Sequence, residues 1–80
     1  MKEVGKITHF FDKISVAVVE LSAPLSKGDK IRIKGVTTDF TQKVGEMQVE
    51  HKALEKAKKG QAIGMKVNEL VRVHDKVYLE

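Results

Sequence analysis

Along this chain apolar residues recur at every second position in short runs, and turn-forming residues close each run. Residues 30–34 are the cleanest case. Ile31 and Ile33 alternate with Lys30, Arg32 and Lys34, which predicts two isoleucines facing inward and three cations facing out. Ile63, Met65 and Val67 repeat that period, and Val71, Val73, Val77 and Leu79 supply the last strands. Residues 4–11 read as a first strand, closed by a turn at Phe11-Asp12-Lys13 where the Asp side chain can bond its own backbone. Residues 14–21, ISVAVVEL, are aliphatic and β-branched and form the clearest strand. Ile14, Val16 and Val18 lie on one of its faces, Val19 and Leu21 on the other, so either both faces are covered or a bulge shifts the register. Residues 41–50 read as one long strand in which the apolar set changes parity across Gly45, from Val44 to Met47 and Val49, predicting a bulge. Residues 51–59, HKALEKAKK, have helical propensity and predict a short turn of helix, or a loop with Leu54 plugging one end of the fold.

A turn-and-strand unit recurs as SKGDKIRIKG at 26–35, KKGQAIGMKV at 58–67 and VRVHDKVYLE at 71–80. In the third copy His74-Asp75 stands where the first has Gly28-Asp29. Six or seven short strands at this spacing predict an all-β fold. In so short a chain they favour a small barrel, since closure removes exposed edges.

Composition narrows the picture. The 80 residues make one domain, 1–80, with 41% hydrophobic content, enough for a folded core. There is no Cys, so disulfides and thiolate metal sites are excluded. The longest apolar stretch, Val16-Ala17-Val18-Val19, is far too short to span a bilayer, and the expectation is a soluble, cytoplasmic protein. A phosphate-binding GxxxxGK[ST], HExxH, an EF-hand loop and GxSxG are all missing. His9, His51 and His74 are not paired at ligand spacing, and although a hydrolytic triad could in principle be built from Ser15, His51 and Asp39, nothing in their placement supports one. The expectation is therefore no enzyme, no metal and no cofactor.

The formal charge of +4 permits an anionic partner. Lys30, Arg32 and Lys34 form an outward row with cations about 7 Å apart, near the phosphate spacing of a nucleic-acid strand. Phe40, in a polar loop, is the best candidate for a base-stacking ring, against the alternative that it caps the core. Lys52 belongs to a second basic cluster with Lys56, Lys58 and Lys59, diluted by Glu50 and Glu55.

Read in order, ISVAVVEL, LSKGDKIRIKG at 25–35, TTDFTQKVGEMQVEHKALEKAKKGQAIGMKV at 37–67 and VRVHDKVY at 71–78 resemble domain 2 of the translational GTPases. That domain is the β-barrel shared by elongation factor Tu and the bacterial initiation factor GTPase. The chain is more similar still to small stand-alone translation elongation factor-like proteins, and to the barrel at the C-terminus of some collagenase-like peptidases. The resemblance covers about residues 4–80, although the nucleotide-binding domain is absent and His74 replaces a Gly. It implies a closed six-stranded Greek-key barrel with non-catalytic work: packing on a GTPase domain, touching ribosomal RNA or cradling the aminoacyl end of tRNA. Glu46-Met47 fall where the elongation factor's Glu-Met pair borders its amino-acid pocket. The expected function is a translation-related module contacting RNA or the ribosome through Lys30, Arg32, Lys34, Phe40, Glu46, Met47, His51 and Lys52. The alternative is a protein-interaction module docking on a GTPase or a collagenase-like peptidase, which predicts an exposed apolar patch beside the basic row.

Overall fold

A computed structural model describes residues 2–50 and 52–80. The described residues form ten strands: β1 (Lys2–Phe11), β2 (Val16–Leu21), β3 (Leu25–Ser26), β4 (Lys30–Lys34), β5 (Asp39–Lys43), β6 (Met47–Val49), β7 (Lys52–Leu54), β8 (Lys56–Ala57), β9 (Ala62–Lys66) and β10 (Lys76–Leu79). The described residues contain no helix, and so none that could cross a membrane.

Eight of these strands form one antiparallel sheet in the order β5-β4-β10-β1-β2-β9-β6-β7, and β3 pairs with β8 beside it. The fold is all-β, as the alternation predicts. It is not the expected closed barrel, because β5 and β7 end the ladder without pairing to each other. The opening is crossed by other means. Gln42 on β5 is buried; its Nε2 donates to the Lys66 carbonyl at 3.0 Å and its Oε1 accepts the Asn68 N–H at 2.8 Å. Nearby, the Gly28 N–H donates to the Val44 carbonyl and the Val44 N–H to the Asp29 carbonyl, both at 2.8 Å.

The strand predicted over 41–50 is two strands, because the bonds at Val44 continue the β4–β5 pairing and the chain then leaves that ladder to form β6. The helical turn predicted over 51–59 is instead β7 and β8. Leu54 pairs with Met47, and Ala57 is buried opposite Leu25, so edge pairing overrides a weak local propensity. Leu54 is half-buried against the core. Bulges fall in β1, between Glu3 and Gly5 and between Ile7 and His9, and β2 alternates without interruption.

One core fills the concave side of the curled sheet. Ile31, Ile33, Val19, Leu21, Ile63, Met65, Val67, Val71 and Val77 are all buried in it, as the alternation places them. Val73 departs from that reading and is exposed, because it sits in the turn before β10.

The threefold unit proves to be one turn built three times. Residues 26–29, 58–61 and 72–75 each close with an N–H to C=O bond from fourth residue to first, at 3.1, 3.2 and 3.1 Å. The third residue has positive φ, as a type II turn requires: Gly28 at 92°, Gly60 at 90° and His74 at 79°. The fourth side chain then accepts the first residue's N–H: Asp29 from Ser26 at 2.9 Å, Gln61 from Lys58 at 2.7 Å and Asp75 from Arg72 at 2.9 Å.

Candidate functional site

The outer surface of the sheet divides in two. On β4, β5 and β10 it is charged. Lys30 lies opposite Lys43, Arg32 opposite Thr41 and Tyr78, and Lys34 opposite Asp39 and Lys76. Arg32, the middle cation of the basic row, is held by Asp39: Nε to Oδ1 at 2.7 Å and an η-nitrogen to Oδ2 at 2.8 Å. This two-pronged bond raises the Arg32 pKa above its ordinary value and lowers that of Asp39. The row is therefore two lysines separated by a neutralised pair. Asp39, the carboxylate of the imagined triad, is committed to the same pair.

Lys30, Glu46 and Lys52 are exposed, but Phe40 packs against the core and Met47 is completely buried beneath β6. Met47 therefore borders no surface pocket. His51 lies outside the described residues. The candidate residues do not converge on one place: Lys30, Arg32 and Lys34 share β4, whereas Met47 and Lys52 belong to the β6–β7 hairpin. Among the described residues no group of three or more His, Asp or Glu is placed to hold a metal.

The other half of the outer surface carries an apolar strip among Lys6, Glu20, Gln48, Glu50 and Lys66. On β1, Phe11 faces Val16 of β2 and His9 faces Val18, while the rings of His9 and Phe11 stack with centroids 6.4 Å apart. Val16 and Val18 then adjoin Lys66 and Gly64 of β9, and Gly64 adjoins Gln48 of β6. Ala62 and Ala53 continue the same face with small side chains. The result is a shallow hollow of about 330 Å³ with Phe11, Ile14, Val16, Val18 and Val49 along it. Phe11 and Ile14 are more than half exposed. The sequence signal for this face was the doubly apolar strand ISVAVVEL: both its faces are apolar, and one of them is covered only in part within this chain.

A second hollow, of about 430 Å³, lies at the third turn. Val36 and Val73 give it an exposed apolar floor, and Lys34, Arg72, His74 and Lys76 surround it. Gly35 presses against the buried Asp75 carboxylate, where no Cβ would fit. The Ile7 N–H donates to the Asp75 carbonyl at 2.7 Å and the His74 N–H to the Ile7 carbonyl at 2.9 Å, so the turn is tied to β1 from both sides.

With this geometry in hand, comparison with known proteins is informative. No family model matches the chain. The chain is 47% identical over 78 residues, 96% of its length, to an uncharacterized protease of Methanocaldococcus jannaschii. It is 46% identical over 77 residues to a collagenase of Porphyromonas gingivalis. It spans about a fifth of these relatives, 19% and 21% of their lengths. Among solved structures, the C-terminal domain of a U32 peptidase from Geobacillus thermoleovorans superposes with a TM-score of 0.93 at 20% identity, over 99% of this chain and 92% of that one. Its selenomethionine variant gives 0.92 at 18% identity, over 98% and 99%. These likenesses establish the shared fold.

They also correct the expectations drawn from the translation-factor resemblance. The relatives are named protease and collagenase, and the matching fold is a peptidase domain, not a translation factor's. The RNA-contacting, translation-related function falls with that resemblance. So does the expectation of a chain standing outside enzymes. The likeness to the C-terminal part of collagenase-like peptidases is the one that the relatives support.

Proposed function

We propose that this chain serves peptide-bond hydrolysis as the β-domain of a U32-type, collagenase-like peptidase, seated on the peptidase body through the apolar strip on its sheet. The observation that carries this reading is 47% identity to a named protease across nearly the whole chain, which matches only about a fifth of that protease. The remaining four-fifths is a body against which such a domain can pack. The surface suited to it is the strip of Phe11 and Ile14, more than half exposed, with the half-buried Val16 and Val18 beside them. Contiguous apolar surface of this kind marks an interaction site, and small residues such as Ala53, Ala62 and Gly64 let a partner's backbone approach closely.

The test uses a collagenase-like peptidase body whose matching segment has been removed. The chain should bind it and raise its cleavage of gelatin. Val18→Lys, which places a charge at the centre of the face, should weaken that binding by about a hundredfold or more. No binding by the parent chain, or equal binding by the variant, overturns the reading. Arg32→Glu, on the charged half, is the control and should bind as the parent does.

A further inference from the structure

We propose that the hollow at the third turn binds the free C-terminal carboxylate of a peptide whose last side chain is apolar. The first observation is His74. The two sister turns place Gly at the positive-φ position, and this one places a histidine there at 79°. A residue with a side chain is strained in that region, where glycine is not. Glycine would build the same turn without that strain, as Gly28 and Gly60 do. The imidazole is therefore not explained by the turn. It lies at the rim of the hollow, beside Arg72 and Val73.

Charge gives the second observation. Lys34, Arg72 and Lys76 carry three positive charges at the rim. The one carboxylate there, Asp75, is buried and its Oδ2 accepts the Arg72 N–H, so it is turned inward. Lys76 shares Glu3 at 3.3 Å, whereas neither Lys34 nor Arg72 forms an ion pair among the described residues. A carboxylate entering here meets the Arg72 guanidinium and the Lys34 ammonium, whose cross-strand neighbour Asp39 is already held by Arg32, and such charge-assisted bonds are the strong ones.

The floor decides the rest of the ligand. Val36 is fully exposed and Val73 is 46% exposed. Isolated cations over two uncovered valines suit a carboxylate attached to an apolar side chain, and a volume of about 430 Å³ holds a residue or two of peptide. A nucleic-acid backbone calls instead for a line of cations, and the available line is interrupted at Arg32–Asp39. The bonds to Ile7 on both sides of the turn, with the packing of Gly35 on Asp75, hold the hollow in place before a ligand arrives. The proposal rests on this hollow and not on the docking face, so the two fail separately.

The test is a nuclear magnetic resonance titration of the isotope-labelled chain with three probes: a short peptide ending in leucine with a free carboxylate, the same peptide amidated, and a short single-stranded RNA. The acid should shift the amides of Val36, Val73 and His74. Amidation and Arg72→Glu should each weaken binding about tenfold, the equivalent of one charge-assisted bond. His74→Gly should bind several-fold more weakly while melting no lower than the parent. Val18→Lys should bind the peptide as the parent does. Equal binding of acid and amide, no binding, tighter binding of the RNA at these residues, or full affinity in His74→Gly each overturns the proposal.

Discussion

At the scale of single residues, the three sister turns act as an internal control. They share one hydrogen-bond scheme and differ at the positive-φ position, so His74→Gly isolates the strain at that position. The substitution should stabilise the chain by about 1 kcal/mol, a rise in Tm of roughly 4–8 °C in calorimetry. The neighbouring Gly35 carries the opposite expectation. A Cβ there would fall on the Asp75 carboxylate, so Gly35→Ala should cost about 2 kcal/mol, and thermal melting should show it. Arg32 and Asp39 make a pH-dependent pair. The folded Asp39 pKa is lowered, chiefly by the hydrogen bond from Arg32, so the pair's contribution is present above the ordinary carboxylate value of about 3.9 and is lost as pH falls through the lowered one. Both side chains lie at the surface in contact with solvent, so the effect on stability is small and screened by salt. A carboxyl-carbon titration checks the sign: the Asp39 midpoint should lie below the ordinary value and move up in Arg32→Gln.

Elements were legible where local pattern and tertiary demand agree. The strict alternation at 30–34 and the period through Ile63, Met65 and Val67 place each side chain on the face it occupies. The turns were legible for the same reason, since a Gly-Asp step carries both the φ and the capping oxygen. The segment at 51–59 was misread because Ala, Leu, Glu and Lys favour helix only by tenths of a kcal/mol, less than pairing with β6 and β3 supplies. The opening between the ladder ends β5 and β7 was invisible in the sequence, since nothing in the alternation distinguishes Gln42 from other inward positions. Gln42→Leu should leave the Asn68 N–H and the Lys66 carbonyl unpaired and cost about 1–3 kcal/mol. Hydrogen exchange at Asn68 should accelerate more than exchange at the centre of β2; uniform acceleration would mean that Gln42 does not bridge the opening.

At the scale of the whole molecule, the sheet has one charged outer half and one that carries an apolar strip, and both are needed to understand it. The charged half drew attention in the sequence because a row of cations is conspicuous, but its central charge is neutralised within the fold. The apolar strip was written in ISVAVVEL as apolar residues on both faces, a pattern that one sequence cannot separate from a bulge. A partly exposed apolar strip on a chain matching a fifth of a protease is the basis for seating it on a peptidase body. The most direct measurement is the affinity of the chain for a collagenase-like peptidase body stripped of its matching segment, compared between parent and Val18→Lys. Binding by the parent that Val18→Lys weakens about a hundredfold is the predicted result. Failure of the parent to bind, or binding that ignores the charge at Val18, would contradict it.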